Sequence, residues 1–260
     1  MNTFIGVAVI VLVLIGGFFL FYNYSPQEQS PMPEQTQESV VQVIPIEHAA
    51  GILRWAGTTI YFDPTGEADA FEGQFTADIV LVTDIHGDHL STTTLTSVVG
   101  TSTSLIVPQA VKDMLPAALA TKAKVLANDA SITEKGFQIT AIPMYNLPGA
   151  ENANRHTKGR GNGYVIERDG YRVYVAGDTA GIPEMRALTG IGTAFVPMNL
   201  PYTMDVDEAA SAVLDFKPQI VYPYHYRTPE GLSDVNRFKQ LVNAGDPSIN
   251  VVLGAWYPAE

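Results

Sequence analysis

The chain is 260 residues long, carries 27 acidic against 15 basic side chains for a formal net charge of −12, and contains no cysteine. Without a Lys- or Arg-rich stripe that balance excludes a reader of phosphate backbones, so nucleic acid is not an expected partner. The missing thiol excludes disulfide staples and thiolate metal sites and leaves histidine and carboxylate as the available ligands.

Residues 4–22 run without a charge. As a helix they would reach about 28 Å, close to the roughly 30 Å of a hydrocarbon core. No basic n-region precedes this run and no small-x-small cleavage site follows it, so residues 1–24 are expected to form an uncleaved transmembrane anchor. No Lys or Arg occurs before Arg54, which favours a cytoplasmic tail and an extracytoplasmic catalytic domain on a single-pass membrane protein. Residues 25–39, rich in Pro, Gln and Glu, read as a flexible polar linker. The folded part is expected over 40–260, a normal size for one α/β domain.

Within it, 41–46 and 58–62 read as strands, followed by His48 and Asp63 respectively. The apolar run from Asp78 to Thr83 reads as a buried strand that feeds directly into Asp84-Ile-His86-Gly-Asp88-His89. A period of two sends Asp84, His86 and Asp88 to one side of an extended segment, and Ser91-Thr-Thr signals a helix start. A solvated, capped turn explains a single Asp or His but not four at this spacing; four imidazole and carboxylate donors in one string read as a metal site.

Strands at 104–107 and 137–142 and a helical stretch over 109–119 come next. His156, Lys158 and Arg160 then fall on a glycine-rich loop before a strand at 163–167, where glycine lets backbone approach a ligand and the two cations can hold an anionic group. The strand at 171–176 ends in Gly177-Asp178-Thr179, and the strand at 219–223 runs into His225. Strands at 193–196 and 249–253 and helices near 183–188, 206–216 and 232–243 complete the pattern. A lone strand-end His or Asp is more often structural; several delivered to one rim would make a site. Asn199, Tyr202 and Tyr224 border that rim, although Tyr222, Tyr224 and Tyr226 share one strand face and are partly packing.

On the string at 84–89, the later His156, Asp178 in its Gly-Asp-Thr turn and the last His225, the chain resembles the metallo-β-lactamase superfamily of metal-dependent hydrolases, over roughly residues 41–257. His48-Ala-Ala, Ile60-Tyr-Phe-Asp63-Pro64 and His156 ahead of Gly-Asn-Gly-Tyr make it most similar to the lactonase-like branch, which includes ascorbate-phosphate lactonase and, more distantly, the N-acylphosphatidylethanolamine phospholipase D type. The resemblance implies a four-layer αββα sandwich and two divalent ions, zinc first, with iron or manganese as alternatives. His86 and His156 would hold one ion, Asp88, His89 and His225 the other, and Asp178 would bridge them.

Asp84 stands where the family has its first histidine. A shorter, harder, anionic ligand tilts that side towards iron or manganese or weakens it, leaving a mononuclear site open. The implied chemistry is hydrolysis of a small ester, lactone or phosphoester by a metal-bound hydroxide, with Asp88 also taking the proton of the attacking water. Asp63 is expected to orient His86 or His89. His48, Lys158, Asn199, Tyr202 and Tyr224 are candidates for the surrounding shell or for substrate contact. Competing expectations are a membrane-tethered lipid phosphodiesterase, marked by an apolar groove at the metal cleft, and a non-catalytic metal-binding protein in which Asp84 marks a decayed site.

Overall fold

Two mixed sheets face each other, and the alternation of single strands shows why. In this computed structural model, which describes residues 40–66 and 68–257, β1 (Val41–Glu47), β2 (Ala50–Trp55), β3 (Thr58–Phe62), β4 (Ile79–Leu81), β5 (Ser104–Val107) and β6 (Ala123–Val125) form the first sheet in that order. Its first three strands run antiparallel and β3 to β6 parallel. Along β3 and β4 the side chains of Ile60, Phe62, Ile79 and Leu81 join one buried cluster while Tyr61 and Val80 join another, as period-two geometry requires of a sheet covered on both faces.

The second sheet contains β7 (Ser131–Glu134), β8 (Phe137–Met144), β9 (Gly161–Arg168), β10 (Tyr171–Val175), β11 (Thr193–Pro197), β12 (Ile220–Tyr224) and β15 (Asn250–Val251), in the order β15-β12-β11-β10-β9-β8-β7. The antiparallel strands are β7 to β10, and the parallel half is β10, β11, β12 and β15. A small hairpin of β13 (Arg227–Thr228) and β14 (Gly231–Leu232) stands apart.

Helices α1 (Thr92–Val98), α2 (Gln109–Met114) and α3 (Ala117–Ala120) supply Leu95, Val111 and Leu119 to the cluster on the outer face of the first sheet. The main cluster holds the facing strands together with Ala209, Val213 and Phe216 of α5 (Val206–Phe216) and Phe238 and Val242 of α6 (Val235–Gly245), to which α4 (Pro183–Arg186) adds Met185. This is an α/β fold of helix, sheet, sheet and helix. Asp205 caps α5 by accepting the Glu208 amide at 2.7 Å, and Lys217 ends that helix in the left-handed region at φ 46°.

Several features differ from the sequence reading, among them the short strands β6 and β7 and the β13–β14 hairpin, none of which was expected. The helix expected over 109–119 is two helices, because Pro116 begins α3 and forces the preceding residue out of the helical region. Strand β2 was not expected, since it is buried nearly throughout and shows no alternation. The anchor expected at 1–24 and the linker at 25–39 lie outside the described residues. Among the described residues no helix is long and apolar enough to cross a membrane; α5 and α6, at 11 residues each, reach only about 16 Å of a core of roughly 30 Å. The expectation of a single-pass membrane protein with an extracytoplasmic domain therefore finds no support in the described residues.

Candidate metal centre

The centre is built from strand ends. Asp63 directly follows β3, turned into the left-handed region at φ 44°. Its carboxylate is fully buried and accepts hydrogen bonds from the Thr83 amide at 2.7 Å, the Thr83 hydroxyl at 2.6 Å and His89 Nδ1 at 2.8 Å. Burial pushes the Asp63 carboxyl up, against the pull of His89 and Thr83. Its bond to Nδ1 fixes the His89 ring so that Nε2 faces the cleft, the usual way a carboxylate orients a metal-binding imidazole.

Around Nε2 of His89 gather His225 Nε2 at 3.1 Å and Asp178 Oδ2 at 3.3 Å. Asp178 Oδ1 lies 3.1 Å from His225 Nε2, and Asp88 Oδ2 lies 3.4 Å from it. On the other side of Asp178 its Oδ2 is 3.1 Å from His156 Nε2. That nitrogen is 3.9 Å from Asp84 Oδ2, which in turn meets His86 Nδ1 at 2.7 Å. Two donor sets therefore share Asp178, a His89 side and an Asp84 side. Tetrahedral ligands at about 2.0–2.2 Å from one ion lie about 3.3–3.6 Å from each other; the His89 side, at 3.1–3.4 Å, is close to that spacing, and the Asp84 side spreads from 2.7 to 3.9 Å.

The unsatisfied atoms fit the same reading. Both ring nitrogens of His156 and Oδ1 of Asp178 are buried with no hydrogen-bond partner. Each such group costs about 1–3 kcal/mol if nothing occupies its lone pairs. Burial opposes ionisation of Asp178, yet the facing His225 and His89 hold it well below the usual carboxylate range. Burial likewise opposes charge on His89, while Asp178 and Asp63 raise it well above 6.5. A site that so favours protonated imidazole against carboxylate is one where a metal cation can take the proton's place.

His48 sits in the turn between β1 and β2 at φ 54°. Its Nε2 is 3.3 Å from Asp88 Oδ2 and its Nδ1 2.6 Å from the Tyr257 hydroxyl. Backbone bonds tie this turn to distant chain: the His225 amide donates to His48 O at 3.2 Å, and the His48 amide donates to Trp256 O at 3.3 Å. Close approach at the rear depends on glycine. A Cβ on Gly161 would lie 2.2 Å from Met144 Cε and 2.8 Å from Thr83 O, and Gly177, at φ 66°, lets the chain reverse so that Asp178 points inward.

A cavity of about 290 Å³ opens over the donors, lined by His86, Asp88, Arg155, His156, Asp178 and Tyr202. A neighbouring cavity of about 230 Å³, lined in part by His48, Asn199, His225 and Arg227, shares Asp88 and Tyr202 with it. The open mouth agrees with the exposure of His86 and Asp88, at 42% and 40%.

The structure thus brings together Asp84, His86, Asp88, His89, His156, Asp178 and His225, with Asp63, His48, Asn199 and Tyr202 around them. It corrects several expectations. Residues 84–90 form a turn, with the His89 and Leu90 amides bonded to His86 O, so Asp84 and His86 fall on one donor set and Asp88 on the other. Lys158 pairs with Glu184 over the Tyr145 ring instead of lining the cleft. Tyr224 is fully buried, its hydroxyl accepting the Gly177 amide at 2.9 Å; it lines neither cavity, so of its two expected roles the support of the Asp178 turn stands and substrate contact does not.

Arg160 is not free for an anion either: its Nε and Nη2 fork onto Asp84 at 3.1 and 3.0 Å. The cleft cations are instead Arg155 and Arg227, over the rings of Tyr202 and Tyr257. Neither was singled out in the sequence; Arg155 had a signal, standing next to His156 on the glycine-rich loop.

A two-sheet α/β sandwich with histidine and aspartate donors converging from its strand ends defines a metal-dependent hydrolase. The chain belongs to the metallo-β-lactamase superfamily: a family profile described as "Beta-lactamase superfamily domain" matches residues 42–225. It is similar to a UPF0173 metal-dependent hydrolase of Thermococcus onnurineus, 30% identical over 220 residues that span 75% of this chain and 88% of that one. A crystal structure from Parabacteroides distasonis, described as a metal-dependent hydrolase, is 34% identical with a TM-score of 0.73, covering 84% of this chain and 94% of that one. A metallo hydrolase of Ignicoccus hospitalis shares the fold at a TM-score of 0.69 and 23% identity, covering 85% and 96% of the two chains.

Proposed function

We propose that the enzyme is a two-metal hydrolase of a small ester, lactone or phosphoester that carries an anionic group. The observation that carries the reading is the convergence of histidine and aspartate donors on both sides of Asp178 beneath an open cavity, with both His156 nitrogens and Asp178 Oδ1 buried and unpartnered. Asp84, His86 and His156 would hold one divalent ion, Asp88, His89 and His225 the other, and Asp178 both. Zinc is the first choice, and the carboxylate at position 84 admits iron or manganese. Such ions would supply Lewis acidity towards a scissile carbonyl or phosphoryl oxygen and would acidify water in the site.

The protein's own groups do the rest. Asp88, half exposed and facing the cavity, accepts the proton of the attacking water, and His48 steadies its Oδ2. Asn199, with Nδ2 at 3.4 Å from the His225 ring nitrogens, holds that ring in place. Tyr202 stands between the two cavities, where its hydroxyl can steady charge developing on the substrate. Arg155 and Arg227, among few basic groups in a chain of net charge −12, supply the attraction for an anion.

A lipid substrate is less well supported. The apolar depression at Leu147, Ala150, Leu200 and Pro201 shares no lining residue with the metal cleft. The test is metal content by elemental analysis, followed by hydrolysis of carboxyl-ester, lactone and phosphodiester probes before and after chelation. Two ions per chain and chelator-sensitive turnover of one class are expected; turnover that survives complete metal removal would overturn the reading.

A further inference from the structure

We infer that Asp84 and Arg160 act as one unit, in which Arg160 is the counter-ion and positioning residue that lets a carboxylate replace a histidine as metal ligand. This rests on the two-metal reading above. Arg160 reaches Asp84 from 76 positions away in sequence and bonds both oxygens through a planar fork. Two parallel bonds fix the plane of the carboxylate as well as its position. With the plane fixed, Oδ2 is the oxygen that meets His86 Nδ1 at 2.7 Å and His156 Nε2 at 3.9 Å, while Oδ1 is turned towards Nε.

The backbone prepares this meeting. The Asn162 amide donates to Thr83 O at 2.9 Å, and a Cβ at the intervening Gly161 would lie 2.8 Å from the same oxygen. The chain entering β9 is thereby pressed against the residue before Asp84, which puts Arg160 opposite the carboxylate. Asp84 is fully buried and the Arg160 side chain is 18% exposed, so neither charge is solvated well enough to stand alone. Exchanging a neutral imidazole for a carboxylate adds one negative charge to the site, and the guanidinium removes it again.

The unit has a consequence that a single-residue view of position 84 misses. A neutral imidazole with its lone pair committed to a metal has no acceptor left for the fork. Restoring the family's histidine by Asp84→His alone therefore leaves a buried guanidinium beside a divalent ion, and it should expel that ion. Removing the cation at the same time should bring the ion back.

The test is a cycle on the full chain: wild type, Asp84→His, Arg160→Met and the double variant, each stripped by chelator, titrated with Zn2+ or Co2+ and analysed for bound metal after gel filtration. The wild type is expected to hold two ions. Asp84→His should hold one, its second ion weakened by about 10- to 100-fold, the usual range for losing a supporting contact, and the double variant should return to two. Metal-free melting temperatures should follow the same logic, with the double variant above both single variants. An Asp84→His protein that binds two ions as tightly as wild type, or a double variant no better than Asp84→His, would overturn the inference alone.

A wild type that stops at one ion would also overturn it, because the ion pair would then substitute for the second ion instead of holding it. A wild type that binds none would sink the metal-site reading itself. Should Asp84→His fail to fold, Arg160→Lys keeps the charge and loses the fork. It is expected to weaken the second ion by about 10-fold, and an unchanged second affinity would overturn the proposal.

Discussion

Replacing Asp63 by asparagine changes one atom's chemistry at the deepest point of the site. The Asp63 carboxylate takes three donors, the Thr83 amide, the Thr83 hydroxyl and His89 Nδ1. In Asp63→Asn the new carboxamide can still accept the Thr83 amide through its carbonyl, but its NH2 group then faces His89 Nδ1 and demands an acceptor there. The imidazole must change tautomer and carry its proton on Nε2, the nitrogen that faces His225 at 3.1 Å and Asp178 at 3.3 Å. Metal affinity on the His89 side should therefore fall by about 10- to 100-fold, with a smaller loss of fold stability than truncation to alanine, because the Thr83 amide keeps its acceptor.

Asp63→Ala separates the two effects. It strands the buried Thr83 amide and leaves His89 Nδ1 only the Thr83 hydroxyl at 3.1 Å, for a loss of about 3–5 kcal/mol. In a domain of this size that is about 6–20 °C in Tm. Competitive Zn2+ titration against a chromophoric chelator reads the first quantity, and thermal unfolding of the metal-free protein reads the second. An Asp63→Asn variant that binds both ions within about threefold of wild type would refute the orienting role.

Three further outcomes are expected. Gly161→Ala should cost about 1–3 kcal/mol in denaturant unfolding because its Cβ meets Met144 and Thr83 O; Gly87→Ala, with nothing near its Cβ, should stay within about 0.5 kcal/mol, and equal effects would contradict the packing argument. In the metal-free protein the raised pKa of His89 contributes stability that is complete below pH 6.5 and is lost as pH rises through the folded value. Denaturant melts should thus weaken above pH 6.5 without metal, while metal-loaded protein gains as proton competition fades; constant metal-free stability across that range would count against the His89–Asp178 pairing. Tyr257→Phe removes the hydroxyl bonded to His48 Nδ1 and to the Arg227 amide at 3.2 Å, with about 1–3 kcal/mol of stability, and should lower kcat by freeing His48 from Asp88; unchanged turnover would argue that His48 does not position the carboxylate.

The site was legible where its donors are contiguous or end a strand with a clear pattern. Asp84 to His89 form one string, and Asp178 and His225 close alternating or apolar runs, so strand ends place those two on one rim once their strands share a sheet, as β10 and β12 do. Arg160 and Asp84 were each visible, but a bond across 76 positions leaves no local pattern, and Arg160 read as an anion hook. Lys158 misled for the same reason, since Glu184, its partner, lies on a helix elsewhere in the chain. In the fold, β3 announced itself through a run of β-branched and aromatic residues, whereas β2, buried nearly throughout and holding Ala, Gly and Arg, carries neither that composition nor a period to read. The run at 4–22 met the length criterion for a membrane helix, a criterion that tests candidacy and nothing more.

The ties between the His48 turn, His225 and Trp256 set a schedule for the living protein. During synthesis from the amino terminus, Asp84 to His89 emerge early, yet the His89 side lacks His225 until late, and His48 gains its Trp256 and Tyr257 partners only with the final residues described. A chain that has reached only Asp84 to His89 holds the first string of donors, but the His89 side is complete only when His225 is tied to the His48 turn and that turn to Trp256. The first string and the last strand ends thus meet only in the folded domain, and the mouth over His86 and Asp88 is the way an ion would enter or leave it.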